Sequence, residues 1–173
     1  MKSKSLCQRL KIPHQVLRLP FVGAWGGSSL TVLGKKLPRS KAVQIDDLAV
    51  SQKTAKSVWV PNRNGIFLNV AAGLAESLKA DCVIPGFNSE EAVTFPDNSI
   101  GFMTALDHCF QFSTANAVKV KCYTVKMNKA EIVEFGKNLD VDWSLIWPCY
   151  LSGKKWCGEC ESCQRSLRAL KNE

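Results

Sequence analysis

Four cysteines near the C-terminus, Cys149, Cys157, Cys160 and Cys163 in "CYLSGKKWCGECESC", have the spacing C-x7-C-x2-C-x2-C. Thiolates are good zinc ligands, and two residues between cysteines let the backbone turn so that both sulfurs reach one tetrahedral ion at about 2.3 Å. Gly158 eases one such turn, which a side chain would crowd. Four thiolates fill the tetrahedron and leave no position for water or substrate, so the cluster predicts a structural zinc rather than a catalytic one. Redox chemistry by the pair Cys157 and Cys160 competes with this reading but leaves Cys163 as a spectator. Cys7, Cys82, Cys109 and Cys122 are isolated and read as small buried hydrophobes.

A chain of 173 residues suits one domain with a small appendage, and no apolar run approaches the roughly 18 to 20 residues of a membrane span. The basic start "MKSKSLCQRLK" is not followed by an apolar stretch and cleavage site, so a cytoplasmic location with reduced thiols is expected. The net charge of +8 attracts polyanions without choosing among them. A zinc-containing nucleic-acid binder is the alternative this charge motivates. Direct nucleic-acid binding is nevertheless not expected, because no aromatic-rich stacking surface or recognition helix accompanies the cysteines.

The elements that would position a site follow from periodicity. Residues 4–11 read as the end of a helix, "HQVLRLPF" from His14 to Phe21 as a short strand, and residues 23–57 as a long surface loop. From Asn64 to Lys79 a helix is expected, with Phe67, Val70 or Ala71, Leu74 and Leu78 as its apolar face. "DCVIPGFN" reads as a buried strand opening into a loop at Gly86, where ligands of a parallel sheet would bind. Asp97 or Asn98 would cap a helix striped by Phe102, Leu106 and Cys109 or Phe110. "VKVKCYTV" alternates as a strand does, and Asn128 with Glu131 forms an approximate capping box before Ile132, Val133 and Phe135. This order argues α/β with a parallel sheet.

"VPNRNGIFLNVAAGLAE", "GFNSEEAVTFPDN", "NKAEIVEFG" and "WPCYLSGKKWCGECESCQR", taken together, resemble the 7-cyano-7-deazaguanine synthase family, the ATP-dependent enzymes of queuosine and archaeosine precursor synthesis. "KIPHQVLRLPF" and "GGSSLT" are similar to the family's third strand and the loop after it, so the resemblance covers nearly the whole chain. It implies a Rossmann-like adenine-nucleotide alpha hydrolase (ATP pyrophosphatase) fold over residues 1–147 and a zinc-binding C-terminal segment over 148–173. It also implies a ligase that uses ATP as co-substrate to convert 7-carboxy-7-deazaguanine and ammonia to the nitrile.

Family members cradle pyrophosphate with S-G-G-x-D-S, and these 173 residues contain no such motif. "GGSS" at 26–29 does not replace it: Trp25 stands where the leading serine should be and no aspartate follows. By resemblance the parallel sheet lacks its first two strands, so the chain is expected to be inactive alone, completed by a segment or chain carrying the nucleotide half, or repurposed. The resemblance also implies a homodimer.

Six further residues match family motifs. Arg63 and Asn64 match R-N, where a guanidinium would clamp a carboxylate or phosphate or else tie down loop carbonyls. Asn88, Glu90 and Asp97 match the loop that would read a deazaguanine edge, with a plain helix cap as the other reading of Asp97. Lys129 matches K-A-E-I and would approach phosphate or face solvent. Glu91 stands where the family usually has Asp, Phe95 where it has Tyr, and Asn98 where it has Cys; Pro85 interrupts an expected inner strand, and Pro148 replaces a small residue before Cys149.

Overall fold

The computed structural model describes residues 2–171. It divides into two compact units, one of residues 60–132 and one joining the chain up to Trp59 with everything from Val133 onward. The division falls within one helix, Lys129–Asn138.

The 60–132 unit is α/β. It contains α4 (Arg63–Ser77), β1 (Cys82–Val83), α5 (Ser89–Ala92), α6 (Ile100–Ser113), β2 (Lys119–Val120) and the start of α7 (Lys129–Asn138). β1 and β2 pair in parallel, Cys82 opposite Lys119 and Val83 opposite Val120. The alternation in "VKVKCYTV" is realised, with Val118 and Val120 buried and Lys121 exposed. The ladder is nonetheless two residues long, because a strand persists only while a neighbour takes its N–H and C=O groups. β1 stops before Pro85, which has no N–H to donate, and the Val120 N–H on β2 goes to the Asp107 carboxylate. Leu68, Ala72, Ala75, Val83, Phe87, Leu106, Phe110, Val118 and Val120 form one core.

The helix expected from Asn64 to Lys79 is present, but its buried face is Gly65, Leu68, Ala72 and Ala75. The expected stripe is rotated outward, leaving Phe67 and Leu78 exposed. Small residues win the inner face because the helix packs close against β1, and a bulky face would hold it away. One cap differs from expectation and another is met. Neither Asp97 nor Asn98 caps α6; both sit in a short 3-10 turn, Pro96–Asn98, and the Ser99 hydroxyl accepts the Phe102 N–H at 3.2 Å. The box before α7 is reciprocal, Asn128 Oδ1 accepting from Glu131 N at 3.0 Å and Glu131 Oε2 from Asn128 N at 2.7 Å.

The other unit is helical among the described residues: α1 (Lys2–Arg9), α2 (Pro20–Ala24), α3 (Leu48–Val58), the end of α7 and α8 (Glu161–Lys171). The expected strand from His14 to Phe21 does not form. Its residues are mostly exposed with no neighbouring strand, and Pro20 instead starts α2, its fixed φ suiting a first helical position. About a third of the long loop expected over 23–57 is α-helix, most of it in α3. Asp47 caps α3 by accepting the Val50 N–H at 3.0 Å, and α3 buries Ser51, Thr54, Ala55 and Val58. That i, i+3, i+4, i+7 face is made of small and hydroxyl residues, so an apolar-period search passes over it. The backbone of "GGSS" is tied to the end of α3, Ser29 N–H donating to Ser57 O at 2.8 Å. None of Cys7, Cys82, Cys109 and Cys122 is fully buried, and Cys109 is exposed on the outer face of α6.

Candidate functional site

The four C-terminal cysteines converge. Their sulfurs all lie within 4.8 Å of one another. A tetrahedron of sulfurs about 2.3 Å from a central ion has edges of about 3.8 Å, and Cys157 Sγ lies 3.9 Å from Cys163 Sγ. No pair is bonded as a disulfide. Gly158 sits at φ +73°, the left-handed turn that lets Cys157 and Cys160 face the same point. Backbone N–H groups of Leu151 and Cys157 donate to Cys149 Sγ, and that of Cys160 to Cys157 Sγ, each at 3.4 Å. Such donors suit thiolates. Leu37, Trp147, Tyr150 and Trp156 pack around the sulfurs.

The electrostatics fit a cation. Burial pushes the Cys157 thiol up, but N–H donors at Glu159 and Cys160 and hydrogen bonds with the Cys149 and Cys160 thiols outweigh it and hold it at about 7. At Cys160 and Cys163 burial wins and the thiols are pushed up. A divalent ion reverses that preference, since a coordinated thiol is deprotonated outright. All four ligand positions are protein sulfurs, so the site can hold a metal and brace the segment around it, with no position left for a reacting water.

Beside the sulfurs stands a buried network absent from the sequence reading. Glu161 and Arg165, one helical turn apart on α8, pair at 2.9 Å with both side chains more than nine-tenths buried. Thr54 Oγ1 donates to Glu161 Oε2 at 2.7 Å, and Arg165 Nη2 to Ser51 Oγ at 3.3 Å. The Glu-x3-Arg spacing on a helix was the available signal.

In the 60–132 unit a cleft of about 270 Å³ opens past the end of β1, lined by Asn64, Phe67, Leu68, Ala71, Val83, Ile84, Pro85 and Phe87. Asn62, at φ +50°, turns the chain into α4, and Gly65 leaves room for its side chain, since a Cβ there would lie 2.0 Å from Asn62 Oδ1. This turn sets Arg63 and Asn64 at the helix start. Asn64 Nδ2 donates to Asp97 O at 3.3 Å, and the Arg63 charge acts on the Asp97 carboxylate. Burial nevertheless pushes the Asp97 carboxyl above the usual range, against the pull of Arg63 and of hydrogen bonds from Asn98 and Asn64. Arg63, Asn64 and Asp97 therefore form one group.

Asn88, Glu90 and Lys129 form another. Asn88 is buried and caps α5, its Oδ1 accepting from Glu91 N at 2.9 Å. The Glu90 carboxylate accepts the Lys129 N–H at 3.4 Å, and Lys129 Nζ pairs with Glu91 at 2.7 Å. The Lys129 ammonium is thus held across the loop by a carboxylate and does not face open solvent.

Fold and site define a small α/β chain with a four-cysteine cluster that fits a zinc site. The family model described as queuosine biosynthesis protein QueC matches residues 1–173. The chain is 55% identical over 168 residues to the 7-cyano-7-deazaguanine synthase of Bdellovibrio bacteriovorus, covering 97% of this chain and 73% of that protein. It is 47% identical over 165 residues to the synthase of Desulforamulus reducens (95% and 72%) and 39% identical over 173 residues to that of Methanosarcina mazei (98% and 75%). The chain belongs to the QueC family, and by family it is an enzyme of queuosine biosynthesis. It spans about three quarters of the length of these relatives.

Proposed function

We propose that this chain carries the substrate-reading and metal-holding parts of an ATP-dependent carbon–nitrogen ligase that makes 7-cyano-7-deazaguanine from 7-carboxy-7-deazaguanine and ammonia. The observation that carries the reading is the grouping of Arg63, Asn64 and Asp97 beside an apolar cleft past the end of a parallel strand, in a chain of this family. Ligands of open parallel sheets bind past the carboxyl ends of strands. A cleft near 270 Å³ with one polar side is close to the ~300 Å³ lower end of ligand pockets.

A carboxylate oxygen is a poor leaving group. In the proposed reaction it attacks the α-phosphorus of ATP and expels pyrophosphate. Ammonia then attacks the acyl carbon, AMP leaves and an amide results; a second ATP-driven activation removes the amide oxygen to give the nitrile. In this scheme Arg63 clamps the substrate carboxylate by paired N–H donors. Asn64, Asn88, Glu90 and Asp97 read the polar edge of the deazaguanine. Lys129, poised against Glu91, approaches phosphate.

The finer architecture proposed is an ATP pyrophosphatase fold over residues 1–147 with a zinc segment over 148–173, a division by role rather than by packing. Zinc is the proposed metal, because four sulfurs and a closed tetrahedron suit it. The enzyme is proposed to work in the cytoplasm as a homodimer or with a complementing chain. These 173 residues contain no S-G-G-x-D-S loop, and the 173-residue polypeptide alone is expected to bind zinc and to make no nitrile.

The test is ATP-dependent nitrile formation, followed by mass spectrometry, with the 173-residue polypeptide alone and with a relative's strand-helix-strand segment bearing S-G-G-x-D-S. Activity only with the added segment is the expected result. Nitrile from the polypeptide alone would remove the loop from the mechanism, and none from either, with ATP, substrate and ammonia saturating, would count against the ligase reading.

Charge gives a second reading some support. Residues 1–59 hold eleven Lys and Arg against two Asp. A zinc-containing nucleic-acid binder would then show affinity for tRNA falling steeply with salt. Absent or salt-independent binding rejects it.

A further inference from the structure

Charged groups that are nine-tenths buried are costly, and an ion pair kept in such a place is more often a device for registry than a source of stability. Glu161 and Arg165 are such a pair. Their position in the chain is specific, because Glu161 stands between Cys160 and Cys163, both of them fully buried. These two cysteines are the ligands delivered by the first turn of α8, where Gln164 N donates to Cys160 O at 2.9 Å to start the helix. Whatever fixes the rotation of that turn fixes where two of the four sulfurs point.

Three bonds fix it. Arg165 Nε and Nη2 donate to Glu161 Oε1 at 3.1 and 2.9 Å, a forked arrangement, while Thr54 Oγ1 on α3 donates to Glu161 Oε2 at 2.7 Å. The same carboxylate is therefore held on both oxygens, from its own helix and from α3. Ser51 extends the hold, its hydroxyl accepting from Arg165 Nη2 at 3.3 Å and donating to Gln44 O at 3.2 Å. Partners one bond removed from a metal commonly orient its ligands in this way.

We infer that Glu161, locked by Arg165 and by Thr54 of α3, is a positioning residue for the metal site: it sets the rotation of the first turn of α8 so that Cys160 and Cys163 meet the ion in one geometry. The inference rests on reading the four cysteines as a metal site. It adds that metal affinity depends on α3, more than 90 residues earlier in the chain. Glu161 itself does not touch the ion.

The measurement is zinc affinity of the 173-residue chain by competition with a chromogenic chelator, paired with the visible spectrum of the cobalt-substituted protein. Wild type binding no zinc would sink the metal-site reading itself. With wild type binding one equivalent, Glu161→Gln keeps the shape but loses the charge that holds Arg165, and is expected to weaken zinc by about 10–100-fold and to alter the cobalt band. Affinity within twofold of wild type with an unchanged band overturns the inference. Should Glu161→Gln fail to fold, Thr54→Val decides, since it removes one hydroxyl at constant shape. A several-fold loss of affinity supports the inference and an unchanged affinity overturns it.

Discussion

Around the cysteines the polar groups are matched: sulfurs receive backbone N–H groups, and the buried carboxylate of Glu161 is held on both oxygens. Beside the cleft in the 60–132 unit the matching is incomplete in energy, for burial outweighs Arg63 and the hydrogen bonds at Asp97 and leaves its carboxyl raised. The first arrangement resists change and suits a brace. In the second, burial raises a carboxyl above its ordinary range, as happens in sites that bind and react. The contrast separates a region built to hold from one proposed to work, and it can be tested by stability, since damage to a brace destabilises whereas relief of a strained site stabilises.

The largest effect is expected at the metal. Cys163→Ser removes one of four thiolates, and because structural zinc binding of about 10–16 kcal/mol is also folding energy, several kcal/mol of stability should go with it. Thermal unfolding of the metal-loaded variant against wild type checks this, and excess chelator should lower wild type towards the variant. A variant melting with wild type would show that the cysteines brace nothing.

Next comes Arg165→Ala, which leaves Glu161 buried without its ion pair and should cost roughly 3–5 kcal/mol in chemical denaturation. Replacing both, with Glu161→Leu and Arg165→Met, should recover much of that stability while still weakening the metal. Recovery of both together would merge packing with positioning and blur the contrast. In the 60–132 unit, Ser99→Ala removes the cap of α6 and should cost about 1 kcal/mol with no change in metal affinity.

The smallest effect has the opposite sign. Folded Asp97 keeps its proton to higher pH than the unfolded chain does, so its contribution is fully present below the ordinary carboxyl value of 3.8 and is lost as pH rises through the raised folded value. Asp97→Asn does not titrate. Relative to wild type, its melting temperature should therefore rise between acid and neutral pH. A gap that is flat or shrinks with pH would place Asp97 outside the strained set and end the comparison.

Much of the four-cysteine cluster was legible in the chain, because C-x2-C spacings are short and local turns alone bring such sulfurs together. The Asn128–Glu131 box was legible for the same reason. The inner face of α4 was not: Phe67 and Leu78 look like core by hydrophobicity, but close approach to β1 selects Ala72 and Ala75, and the Asn62 side chain leaves room only for Gly65. Helix α3 was hidden because its inward residues Ser51 and Thr54 are polar and become core-compatible only with Glu161 and Arg165 as partners. The expected strand at 14–21 failed because a short apolar segment suits a strand only where it finds a neighbouring strand.

By itself the sequence determined what rests on local chemistry: ligand types and spacing, the Asn128–Glu131 box, the strand-ending Pro85, and the residue pattern by which the chain belongs to its family. Tertiary structure alone decided which face of each helix is buried, that Arg63, Asn64 and Asp97 gather at one place, and that Thr54 bonds Glu161 across 107 positions of chain. Those outcomes depend on burial and on partners far apart in sequence. A side chain's desolvation and the groups that offset it do not exist until the chain has folded around it.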